Sequence, residues 1–89
     1  MEQPTGSDYK QMLSEIIKKQ IVILGPQIAL LKARNVLGLK VADDGTVTDI
    51  SGPEQVILQK LIDEYVALSG EIVKNAVNSI FQKYPSIQH

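Results

Sequence analysis

Residues 39–50, reading Leu39-Lys40-Val41-Ala42-Asp43-Asp44-Gly45-Thr46-Val47-Thr48-Asp49-Ile50, divide this chain into two helical arms. Asp44-Gly45 between two short alternating segments signals a two-residue hairpin turn, because that turn needs positive φ at both central positions and Asp and Gly tolerate it. Such a turn sets Ala42 opposite Val47, Val41 opposite Thr48, Lys40 opposite Asp49 and Leu39 opposite Ile50. One face then carries Leu39, Val41 and Ile50, and the other carries Ala42, Val47 and a Lys40–Asp49 ion pair. A lone two-stranded hairpin is marginal in water, so it must lie on the helices or pair with a second copy's hairpin.

The second arm opens with Ser51-Gly52-Pro53-Glu54, which fits a capping box: Ser51 accepts from the Glu54 amide while Glu54 reaches back, and Pro53 sits where no amide is needed. Apolar residues then recur at helical spacing through Ile57, Leu58, Leu61, Ile62, Tyr65, Val66, Leu68, Ile72, Val73, Ala76, Val77, Ile80 and Phe81. An unbroken helix over 53–83 would be about 46 Å long. A compact domain of this size has a radius of gyration of about 12 Å. The helix must therefore bend near Ser69-Gly70, or a second protomer must cover its overhang. Gly70 is unfavourable inside a helix, which points to a packing reason such as a close helix crossing. These considerations assign an interface to Leu61, Tyr65, Leu68, Ser69, Gly70, Ile72, Val73 and Val77. For Tyr65 alone the preferred reading is an ordinary core residue whose hydroxyl reaches an edge, ahead of an interface anchor or a pocket wall.

The first arm carries its stripe at Met12, Leu13, Ile16, Ile17, Ile21, Leu24, Ile28 and Leu31, after a cap at Ser7 or Asp8. Gly25-Pro26 interrupts it, because proline has no amide to donate and its ring clashes with the preceding turn. Two helical segments sharing one apolar face result, the second starting with Pro26 in its first turn and ending near Arg34-Asn35, where Asn35 can turn left-handed. The expected fold is mainly α with a small β-hairpin: a kinked N-terminal helix pair, the hairpin and a long C-terminal helix, the bundle being completed by dimerisation. Residues 1–7 read as a disordered lead, 8–84 as a single helical domain with the hairpin at 39–50, and 85–89 as a flexible tail.

Dimerisation enters because 89 residues bury a thin core. The chain has no cysteine for a disulfide, and its one histidine, His89, cannot build a zinc site alone. Association is the remaining common source of stability. A net charge of −1 argues against nucleic acid as a partner. The charges are nonetheless uneven, with six basic and three acidic residues in 1–40 against one basic and six acidic in 41–66. That asymmetry suits either a charged partner or acidic side chains placed at helix N-termini.

Site chemistry is sparse. Setting Gly45 as the glycine of a calcium loop puts Lys40, Ala42 and Ser51 where ligands are required, so the acidic tip reads as a turn. No serine has an internal histidine to activate it, and Asp63 and Glu64 diverge around a helix. Lys18-Lys19 and Lys32, Arg34 and Lys40 form small clusters that read as a solvated face. Residues 21–31 are the most apolar window but fall short of the roughly 20 residues that span a bilayer. The polar, acidic N-terminus lacks a secretion signal's pattern, so a cytoplasmic location is expected. No enzyme activity, cofactor or metal is expected. The sequence points to a non-catalytic interaction or oligomerisation module in assembly, signalling or regulation, acting through homodimeric helix packing and with room for a protein partner. The alternatives are a sensor or carrier of a small apolar ligand and a module attached peripherally to membranes.

Overall fold

In the computed structural model, which describes residues 6–84 and Ile87, the elements run α1 (Gly6–Leu24), α2 (Pro26–Arg34), β1 (Leu39–Val41), β2 (Val47–Ile50), α3 (Glu54–Ser69) and α4 (Glu71–Phe81). The kinked N-terminal pair is present, with Pro26 in the first turn of α2. Proline is accommodated there because the first turn of a helix has no partner for an amide. The expected long C-terminal helix is not continuous. Gly70 adopts φ 56° and ψ −114° and divides it into α3 and α4.

The ends of the elements depart from the sequence-based boundaries. Helix α1 begins at Gly6, so Gly6 and Ser7, expected in a disordered lead, belong to its first turn. Residues 1–5 lie outside the described residues. At the other end Ile87, expected in a flexible tail, is buried and donates its amide to the Tyr84 carbonyl at 3.0 Å. The rest of that tail, Pro85, Ser86, Gln88 and His89, also lies outside them. Asn35 closes α2 in a right-handed conformation at φ −72°, and the positive φ falls on Gly38 instead.

Ser51 does not cap α3. Pro53 occupies the cap position and no side chain caps the helix. The Ser51 amide is drawn to the Gly38 carbonyl at 2.6 Å, which anchors the chain where it leaves the hairpin. Gly38 is required there twice over, since its φ is +88° and a Cβ would meet the Ser51 carbonyl oxygen.

The hairpin turn is longer than Asp44-Gly45. Gly45 donates to the Ala42 carbonyl at 3.0 Å, Ala42 donates to Thr46 at 2.8 Å, and positive φ is confined to Gly45. That is a three-residue loop, a turn followed by one left-handed glycine. It moves the pairing: Leu39 still faces Ile50 and Lys40 faces Asp49, but Val41 now faces Val47, and the ladder has an irregularity beside it. Thr48 is the surplus residue of this bulge, and its hydroxyl donates to the Lys40 carbonyl at 3.3 Å.

The hairpin lies on α1. A Cβ on Gly45 would come within 2.9 Å of Ile21 and 3.2 Å of Lys18, and the Val47 amide donates to Ser14 Oγ at 2.8 Å. Ser14 in turn donates to the Lys10 carbonyl at 2.6 Å, so one buried hydroxyl joins helix and strand. The core fills the space between helices, with Met12, Leu13, Ile16, Ile17, Leu61, Tyr65 and Val73 fully enclosed. Gln20 is enclosed with them, and its side-chain amide has no hydrogen-bond partner among the described residues. No described helix is long and apolar enough to cross a membrane.

Candidate functional site

Two corners built in the same way define the most distinctive surface. Gly25 donates to the Ile21 carbonyl at 2.9 Å and accepts from the Ala29 amide at 3.1 Å; Gly70 donates to Val66 at 2.9 Å and accepts from Lys74 at 3.1 Å. Each glycine thus ends one helix and starts the next, at positive φ that only glycine adopts cheaply. A Cβ on either glycine would meet nothing within 4 Å.

Both corners stand at the same end of the molecule. The Tyr65 hydroxyl, fully buried on α3, donates to the Ala29 carbonyl of α2 at 2.7 Å, about one helical turn from each glycine. Tyr9 near the start of α1 meets Gln55 near the start of α3 at 3.3 Å, so these two helices set out side by side. Helix α4 runs back along α1: Lys83 reaches Glu15 at 3.3 Å, and Ala76 shares a groove with Val22.

Around these corners aliphatic side chains face water. Val22 is 83% exposed, Ile72 56%, Leu68 46%, Ile28 46% and Ile23 37%. The eight residues assigned to an interface from sequence therefore separate. Leu61, Tyr65, Val73 and Val77 are buried in the chain's own core, Leu68 and Ile72 are exposed, and Ser69 and Gly70 form the half-buried corner between them. Gly70 does not mark a close crossing within the chain, because the space over its Cα is open; backbone conformation is what calls for glycine.

Two further depressions flank the helices. A polar cleft of about 430 Å³ is lined by Lys10, Ser14, Glu15, Lys18, Thr46 and Tyr84 among others. Burial, followed by hydrogen bonding to Glu15 and the negative charges of Glu15 and Asp8, pushes the Tyr84 hydroxyl up to about 12. An apolar groove of about 440 Å³ runs between α3 and the end of α4, lined by Val56, Leu58, Ile62 and Phe81. The acidic hairpin tip has structural partners: Asp43 pairs with Arg34 at 2.8 Å, and Asp44 accepts from the Thr46 amide at 2.9 Å, which lowers its pKa. Among the described residues no three metal-binding side chains converge.

No protein-family model, curated protein or solved structure matches this chain. The functional reading therefore rests on the surface itself.

Sequence reasoning missed Val22 and Ile23 as surface residues. Their signal was available: both are apolar yet fall off the first arm's stripe, so a single buried face cannot take them. Ile28 and Leu31 sit on that stripe and are still 46% and 60% exposed, because α2 turns away from the continuation of α1 at Gly25.

Proposed function

We propose that this chain is a non-catalytic protein-interaction module that self-associates as a homodimer through the aliphatic end where its two corners meet, in an assembly, signalling or regulatory role. The observation that carries this reading is the grouping of exposed Val22, Ile23, Ile28, Leu68 and Ile72 about Gly25 and Gly70. Their exposed area is on the order of 500 Å², as large as the largest apolar patches of monomeric proteins, and such patches are often functional. Two copies of that patch approach the low end of stable interfaces. Sedimentation velocity from micromolar to millimolar concentration tests the reading. Val22→Lys combined with Ile72→Lys should abolish a concentration-dependent dimer while leaving the helical circular dichroism unchanged. A wild-type chain that stays monomeric throughout sinks the proposal.

The apolar groove beside Phe81 supports the second reading, a carrier of a small apolar ligand. Native mass spectrometry of the purified chain separates the two, since a carrier retains ligand mass on the monomer.

A further inference from the structure

The two corners share a hydrogen-bond pattern but differ in whether they can open. At the first, Pro26 follows the glycine, and a straight helix would drive its ring into the Val22 carbonyl. That corner is locked. At the second, Glu71 follows Gly70, and no proline or side-chain cap holds the turn. Straightening would give the amides of Glu71, Ile72 and Val73, which lie in a first turn, the carbonyls of Ala67, Leu68 and Ser69, which lie in a last turn.

Helical periodicity also runs through the break. In a straight helix Leu61, Tyr65, Leu68 and Ile72 fall on one face, although Leu68 and Ile72 are exposed in the bent form. The bend is held instead by α4 packing its buried Val73, Val77, Ile80 and Phe81 against the rest of the core. A continuous helix over 54–81 would be about 42 Å long, whereas the greatest extent of the domain is 37 Å. Straightened, α4 must leave its own α1 and seek another.

We infer that Gly70 is a hinge through which α4 exchanges between two copies of this chain, each α4 packing on the other copy's α1. The exchanged form recovers every contact of α4, gains the hydrogen bonds of a continuous helix, and brings Leu68 and Ile72 of both copies together where the long helices cross. This deepens the self-association proposed above by naming the element exchanged.

Glu15 and Lys83 provide the test, because their side chains meet at 3.3 Å across α1 and α4. Equal amounts of ¹⁵N-labelled and unlabelled chain are refolded together, joined with a zero-length carbodiimide reagent, digested and weighed. Gly70→Ala, which disfavours positive φ, should dimerise at least tenfold more tightly than wild type and yield Glu15–Lys83 linked peptides with one light and one heavy partner. Glu71→Pro, which locks the second corner as Pro26 locks the first, should yield only isotopically uniform pairs. Uniform pairs from Gly70→Ala, or mixed pairs from Glu71→Pro, overturn the exchange. A dimeric Gly70→Ala with uniform pairs overturns it while leaving association through the exposed end standing. Should Gly70→Ala fail to fold, wild type refolded at millimolar concentration gives the same reading, and uniform pairs there overturn it.

Discussion

The hydroxyl of Tyr65 donates to the Ala29 carbonyl at 2.7 Å, a buried bond joining residues 36 apart in sequence. This bond holds α2 against α3 close to both glycine corners. Tyr65→Phe keeps the ring and removes only the bond, so it should cost about 1 kcal/mol, read as a lower urea midpoint. An unchanged midpoint would show that the ring alone positions the two helices.

Gln20 should respond in the opposite direction. Its side-chain amide is fully enclosed without a partner among the described residues, and burying such a group costs about 1–3 kcal/mol. Gln20→Met has nearly the same length and no polar demand, so it should stabilise the fold by about 1 kcal/mol or more, read as a higher urea midpoint at constant m-value. A lower midpoint would mean that the amide is satisfied in solution.

The glycines should rank by backbone space. Gly38→Ala combines positive φ with contact against the Ser51 backbone oxygen, and the neighbour cannot yield. Its cost should exceed about 2 kcal/mol. Gly45→Ala meets side-chain atoms, Ile21 Cδ1, Lys18 Cγ and Ile17 Cγ2, and no backbone, so a small shift can relieve the contact and its cost should stay nearer the left-handed strain, about 1–2 kcal/mol. Thermal melts of the two variants check the order, and the reverse order would refute the proposed geometry of the hairpin base.

Alkaline pH should unfold the chain. Burial and then the charge of Glu54 raise Tyr9, burial raises Tyr65, and Tyr84 is pushed up to about 12 by burial and Glu15. In the unfolded chain these hydroxyls ionise at about 10. Between those values the native state holds protons that the unfolded state has released, so stability is complete below pH ~10 and falls as pH rises towards 12. Absorbance at 295 nm should report tyrosinate together with loss of helical circular dichroism. Ionisation near pH 10 with the helices intact would contradict the burial of these rings.

Much of this architecture was legible because apolar spacing and proline act locally. The stripe of α1, the restart at Pro26 and the placement of the hairpin follow from that local chemistry. Ser51 was misread because its amide is claimed by Gly38, a partner thirteen residues earlier that no local pattern reveals. The turn was misread because Asp-Gly also fits a three-residue loop, where only the glycine needs positive φ. At Gly70 the apolar period continues through the break, so periodicity cannot distinguish a bent chain from a straight one. For the same reason half of the residues assigned to an interface proved to be core: one stripe serves both purposes.

Ser14 does more for the hairpin than hold it down. A two-stranded sheet presents a row of outward amides and carbonyls to any passing extended peptide, and this is a common start of aggregation. Here the outward amide of Val47 is already taken by the Ser14 hydroxyl, and α1 lies along that side of β2. The Thr48 bulge further spoils the regular spacing that an added strand would need. Ser14→Ala should therefore do two things: destabilise the fold by about 1–3 kcal/mol, read as a lower denaturation midpoint, and speed thioflavin-positive fibril growth at mildly denaturing temperature. A single helix hydroxyl thus occupies the outward amide of the strand edge.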